Sequence, residues 1–155
     1  MEIICNQNEL NNAIQLVSKA VASRPTHPIL ANILLTADQG TNKISLTGFD
    51  LNLGIQTSFD GTVKKSGAIT VPSKLLSEIV NKLPNETPVS LEVEENSDNI
   101  LMKSDRGSFN LQKPSNTSLI FKNSTDLTAT TTTKFFIYNN FFYKLKRKNY
   151  FIEFN

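Results

Sequence analysis

The residues of this chain that could do chemistry are few and scattered. One histidine, His27, lies in the segment SRPTHPIL (23–30) with Arg24 and two prolines, and one cysteine, Cys5, lies in the apolar run EIIC. A nucleophile–base pair or a metal site needs side chains converging from suitably spaced positions, and neither residue stands in such an arrangement. His27 reads as a hydrogen-bonding surface residue. A single cysteine permits no internal disulfide and no CxxC knuckle, and suits a reducing cytosol. The acidic run LEVEEN (91–96) is the other candidate, as a metal or acid–base cluster, but strand alternation sends Glu92 and Glu94 to one face and makes it a solvated strand face. No GxGxxG or P-loop pattern is present, and the lone glycines of TGFD and FDG read as turns. What remains is Arg24. Pro25 restricts it to extended conformations and the second proline fixes the exit, so the segment holds out one guanidinium.

The elements on either side of that segment follow from periodicity. Glu2 to Cys5 reads as a strand, and Leu10, Ile14, Val17 and Val21 recur at helical spacing, leaving Asn8, Asn11, Asn12, Gln15 and Lys19 on the other face. ANILLTAD, KISLTGF and LGIQTSF then read as strands, the first two joined across QGTN. From Gly67 the pattern restarts: AITV as a strand, PSKLLSEIVNKL as a helix with Pro72 near its first turn, then VSLEVEE, ILMKSD and SFNLQ. In the second helix Leu75, Leu76, Ile79, Val80 and Leu83 make a broad apolar half, with Lys74, Ser77 and Asn81 opposite. The prediction is an α+β fold, a duplicated βαβββ with two helices in one layer covered by antiparallel sheets whose edges stay free to pair.

Composition divides the chain in two. Residues 1–112 carry nine Lys/Arg against twelve Asp/Glu, whereas residues 113–155 carry seven against two. All glycines lie at or before Gly107 and all prolines at or before Pro114, while nine of the thirteen Phe and Tyr fall in 134–155. The chain has room for one ordinary domain. Its start, MEIICNQNEL, turns polar by Asn6, so no signal peptide is expected, and no run of about 18 apolar residues could span a bilayer. A soluble cytoplasmic protein is the expectation.

The first helix followed by SRPTHPILANILL, then KISLTGFDLNLGIQT, GAITVPSKLLSEIVNKLP and SDRGSFNLQ, resembles the first domain of the bacterial sliding clamp, the beta subunit of DNA polymerase III. The resemblance covers 1–112, and RPTxPIL, LTGFDL and VPxxLL carry it in combination. It implies a DNA-clamp domain fold and a non-catalytic protein without cofactor or metal. In the family, three such domains make a subunit and two subunits close into a homodimeric ring around duplex DNA, tethering the polymerase and served by a clamp loader. By the resemblance, Arg24 matches an arginine that contacts the DNA backbone. Helix geometry adds Lys19 and Lys74 as sequence-independent phosphate contacts. Phe109 and Leu111, two apart on one strand face, match a pair that packs across the subunit interface, with Arg106 near the same edge.

After Leu111 the pattern departs from the family. The tail, residues 113–155, interleaves aromatics with Lys144, Lys146, Arg147 and Lys148, as a nucleic-acid stacking segment or a membrane-surface helix does. The alternative reading is therefore a small nucleic-acid- or membrane-binding module acting through this tail. Nineteen of the 22 residues from Lys134 to Asn155 are Phe, Ile, Asn, Lys or Tyr, the types encoded by A and T alone. AT-rich DNA translated out of frame reads this way. A frameshifted or truncated clamp, lacking the second and third domains, is the expectation, and the coding DNA read in its other frames tests it.

Overall fold

In the computed structural model of the chain, residues 1–25, 27–50, 53–93 and 99–112 and the backbone of 150–154 are described. The elements run β1 (Glu2–Asn6), α1 (Gln7–Val17), β2 (Asn32–Asp38), β3 (Lys43–Phe49), β4 (Leu53–Asp60), β5 (Thr62–Lys65), β6 (Gly67–Pro72), α2 (Ser73–Val80), β7 (Pro88–Val93), β8 (Asn99–Ser104), β9 (Gly107–Gln112) and β10 (Tyr150–Phe154). Single 3-10 turns at Ser18–Ala20 and Pro28–Ala31 bracket the Arg24 segment.

The strands form two five-stranded sheets, ordered β5-β1-β7-β8-β9 and β10-β4-β3-β2-β6. The two halves exchange their leading strands. β1 pairs antiparallel with β7, setting Ile3 opposite Leu91, and β6 pairs antiparallel with β2, setting Val71 opposite Ile33. Neither half completes its own sheet, so the chain folds around one shared core that includes Ile3, Leu10, Ile14, Ile33, Leu46, Leu76, Leu91 and Ile100. Burying each such side chain contributes about 1.5–3 kcal/mol.

α1 starts at Asn6, whose Oδ1 accepts a 2.9 Å hydrogen bond from the Asn8 N–H. It buries Leu10, Ala13, Ile14 and Val17, the spacing of one helical face. The sequence carried this face to Val21, but the helix ends at Val17 and tightens into the 3-10 turn, Val21 N–H donating to Ser18 C=O at 3.1 Å. The last turn lies against β3, where a Cβ at Gly48 would collide with the Val17 carbonyl. The sequence reading placed this glycine in the strand KISLTGF and also read TGFD as a turn; the strand is what forms. Gly48 stands inside β3 because only a residue without a Cβ lets the sheet pass so close to the helix.

Three further differences have physical causes. β5 was not expected: Thr62–Lys65 is short and charged, yet Val63 is buried and pairs with Ile3. α2 stops at Val80, and its buried stripe is narrow. Leu76, Val80 and the following Leu83 face the core, whereas Leu75, expected inside, lies off that stripe and is 40% exposed. The tail reading placed no strand at 150–154, where β10 extends the second sheet beside β4. The remaining tail positions, 113–149 and 155, lie outside the described residues, as does Glu94.

Candidate nucleic-acid interface

α1 and α2 run antiparallel, and each end of the pair is fixed by one polar contact between them. At the first end Gln7, 1% exposed, donates from Nε2 to the Val80 carbonyl at 2.8 Å, while its own N–H donates to Thr87 C=O at 3.0 Å. At the second end the hydroxyls of Ser18 and Ser73 share a 2.9 Å hydrogen bond. Because Lys19 and Lys74 directly follow these serines, the bond brings both lysines to one junction. Both are exposed.

The Arg24 segment leaves from the same junction. Ala22 N–H donates to Leu30 C=O at 3.3 Å and Leu30 N–H to His27 C=O at 3.0 Å, closing the base of the arm. Leu30 is buried and anchors it, while the chain bends at Ser23 and Arg24, and Arg24 and His27 are exposed. The structure thus sets Lys19 and Lys74 each directly after a serine of the Ser18–Ser73 bond, with Arg24 exposed in the segment that follows. None of the three has an ion-pair partner among the described residues.

Local electrostatics sharpen the reading. Lys19 follows the C-terminal end of α1, where a cation complements the helix dipole. Lys74 sits in the first turn of α2, where a cation opposes the dipole by about 0.3–1 kcal/mol and where no acidic residue offsets it. A charge held against its own helix, at an N-terminus without a side-chain cap, raises the positive field there. The outer face of the first sheet behaves differently. There Glu2 and Lys64 pair at 2.6 Å and Glu92 and Lys103 at 3.4 Å, so its charges cancel locally. The hydrogen bond from Lys64 lowers the Glu2 pKa and raises that of Lys64.

Other chemistry does not assemble. Among the described residues no group of three His, Cys, Asp or Glu could hold a metal. Burial, with a smaller contribution from Glu9, pushes the Cys5 thiol up to about 12, which keeps it protonated and unreactive at neutral pH. A groove of about 240 Å³ between α1 and β4 is lined by Glu9, Asn12, Ala13, Leu16, Thr57 and Phe59. It has an acid and no cation, so it does not suit a phosphate. No helix among the described residues is long and apolar enough to cross a membrane.

The residues expected at a subunit interface are placed on β9 and the turn before it. Arg106 is exposed in the two-residue turn ahead of Gly107, whose φ of 145° only glycine adopts without strain. Phe109 is half-buried against the core, and Leu111 is 1% exposed and belongs to the core. An exposed apolar pair was anticipated there, and only Phe109 retains accessible surface. Leu111 is covered because Ile100, opposite it on β8, faces the same interior. The strand's outer edge has no neighbour in its sheet among the described residues.

The serines and Gln7 were not singled out from the sequence. Ser18 and Ser73 are 55 positions apart, and no spacing rule links them. Gln7 looks like one more member of a polar run, NQNEL, until the fold places it under the end of α2.

A layer of two antiparallel helices, backed by two sheets that exchange their leading strands, is a DNA-clamp domain. Residues 1–117 match the family described as DNA polymerase III beta subunit, N-terminal domain, and the chain belongs to that family. The beta sliding clamp of Synechococcus elongatus is 62% identical over 92 residues, which is 59% of this chain and 24% of that protein. The beta sliding clamp of Synechocystis sp. is 55% identical over 85 residues, 55% of this chain and 22% of that protein. The crystal structure of the Caulobacter crescentus DNA polymerase sliding clamp aligns with a TM-score of 0.68 at 33% identity, covering 72% of this chain and 30% of that one. The chain spans about a quarter of the length of these curated relatives.

Proposed function

We propose that this chain supplies the first domain of a replication processivity clamp, a non-catalytic ring component that slides on duplex DNA and tethers DNA polymerase III. The observation that carries the reading is the Ser18–Ser73 bond between the helices, directly after which Lys19 and Lys74 stand exposed, with Arg24 exposed in the segment that follows. Such a surface attracts phosphate through long-range charge without fixing a register, which is what sliding requires. The acidic remainder of 1–112 disfavours sticking elsewhere. The edge of β9, with Phe109 and Arg106 beside it, is our candidate for pairing with a further subunit in a homodimeric ring; Leu111 supports it from beneath. A clamp loader and the polymerase are the expected protein partners, and the cytoplasm the expected location. Residues 113–155 are read as a segment apart from the clamp domain.

The test is Arg24→Ala in a full-length clamp carrying this domain, scored by retention on a circular DNA template. The expected result is faster loss of clamp from DNA with an unchanged melting temperature. Unchanged retention overturns the assignment. Deleting the tail separates the alternative module reading, since a clamp domain keeps its DNA contacts without 113–155 and a tail-based module loses them.

A further inference from the structure

Two buried side-chain oxygens on α1, Gln7 Oε1 and Asn11 Oδ1, accept no hydrogen bond from the described residues. Gln7 is 1% exposed and Asn11 is half-buried. The orientation of the Gln7 amide is fixed, because its nitrogen donates to Val80 C=O at 2.8 Å and an oxygen turned there would face another acceptor. Its Oε1 therefore calls for a donor of its own.

Asn11 lies on the same stripe of α1. Residues 7, 11 and 18 follow one line along the helix, and the members at both ends of that line, Gln7 and Ser18, bond to α2. Side chains four residues apart have Cβ atoms about 5–6 Å from each other, so the two oxygens reach a common point in the seam between the helices. The donors at this end of the pair are committed elsewhere. Gln7 N–H goes to Thr87 C=O, Asn81 N–H to Ser77 C=O, Lys82 N–H to Ile79 C=O and Leu83 N–H to Val80 C=O. The Asn81 amide donates to Ser77 Oγ at 3.3 Å, and the Thr87 hydroxyl to Pro84 C=O at 2.8 Å. Two acceptors cannot bond to each other, and leaving both buried without a donor is costly. Water carries two donors on one atom and fits between two such oxygens.

We propose that Gln7 Oε1 and Asn11 Oδ1 form an internal water site between α1 and α2, the water donating one hydrogen to each oxygen. Gln7 then ties three pieces of chain together. Its side-chain nitrogen holds the end of α2, its backbone N–H holds Thr87 ahead of β7, and its oxygen, through the water, holds the next turn of α1. The inference does not depend on the DNA-binding reading.

Water–protein NOE and ROE spectra of the whole chain test it. Long-lived water gives NOE and ROE cross-peaks of opposite sign, and these are expected at the carbon-bound protons of Gln7 and Asn11, which do not exchange with solvent. Asn11→Asp keeps an acceptor at this position and should retain the cross-peak at Gln7. Asn11→Leu removes the acceptor and should lose it, with the backbone amide spectrum away from α1 unchanged. Absence of long-lived water in the parent chain means that the Asn11 amide is turned to donate directly to Gln7 Oε1, and overturns the proposal. A Gln7 cross-peak that survives Asn11→Leu, or that is lost equally in both variants, also overturns it. So does a Gln7 side-chain amide shift that differs between potassium chloride and tetramethylammonium chloride, which assigns the site to a cation.

Discussion

The two ends of the α1–α2 pair use one polar contact each, and to opposite effect. At the Gln7 end the contact is buried: a side-chain amide reaches the Val80 carbonyl with β1 and Thr87 around it. At the Ser18–Ser73 end the contact is part-buried, and Lys19, Lys74 and Arg24 are exposed and have no ion-pair partner among the described residues. A buried polar bond stabilises because breaking it strands a desolvated partner; a bond near solvent does less, since water replaces it. The first end is thus placed to hold the helices in register, and the second to present charge. On the function proposed above, stability and DNA contact lie at opposite ends of the same helix pair.

The largest effect should come from the buried end. Gln7→Ala removes one of the two hydrogen bonds to the Val80 carbonyl, leaving that from the Leu83 N–H, and opens a buried cavity, so a loss of about 2 kcal/mol in urea unfolding is expected. A loss no larger than that of a surface substitution would erase the contrast. Next comes Cys5, on β1 at the same end. An unfolded thiol ionises near 9.0, whereas the folded thiol holds its proton to about 12. Between those values the unfolded state binds fewer protons than the native one, so stability falls as pH rises, by roughly 1 kcal/mol per pH unit, and is unaffected below that window. Cys5→Ala should flatten this part of the pH–stability curve, as measured by unfolding at pH 8 and pH 10.

A smaller effect is expected at the open end. A double-mutant cycle of Ser18→Ala and Ser73→Ala should give a coupling of about 0.5–1 kcal/mol. A coupling as large as the cost at Gln7 would make the second end structural as well.

How much of this was legible in the sequence depends on the range of each interaction. α1 was readable because Leu10, Ile14 and Val17 repeat at the helical period. The clamp-domain topology was readable as a duplicated pattern, although the exchange of β1 and β6 between sheets was not, since strand partners are chosen by long-range packing. Leu75 misled because five apolar residues within nine positions suggest a broad face, while an eight-residue helix against this core buries a narrower one. The close approach at Gly48 was not legible because contact between a strand and a helix end leaves no local signature. Arg24, Lys19 and Lys74 were proposed singly, from a motif and from helix faces. The Ser18–Ser73 bond beside Lys19 and Lys74 is supplied only by the fold. Arg106, Phe109 and Leu111 were found as a strand-and-turn group, but the depth of Leu111 depends on Ile100 across the ladder.

The central claim, that the exposed end of the helix pair faces DNA, is tested most directly by titrating the isotope-labelled chain with duplex DNA and following amide shifts by NMR. The account predicts weak, salt-sensitive shifts confined to residues 18–24 and 73–77, the same for two unrelated duplex sequences. Neutralising Lys19, Arg24 and Lys74 together should abolish them while leaving stability within about 0.5 kcal/mol. Shifts confined to residues 113–155, with none at the junction, would contradict it.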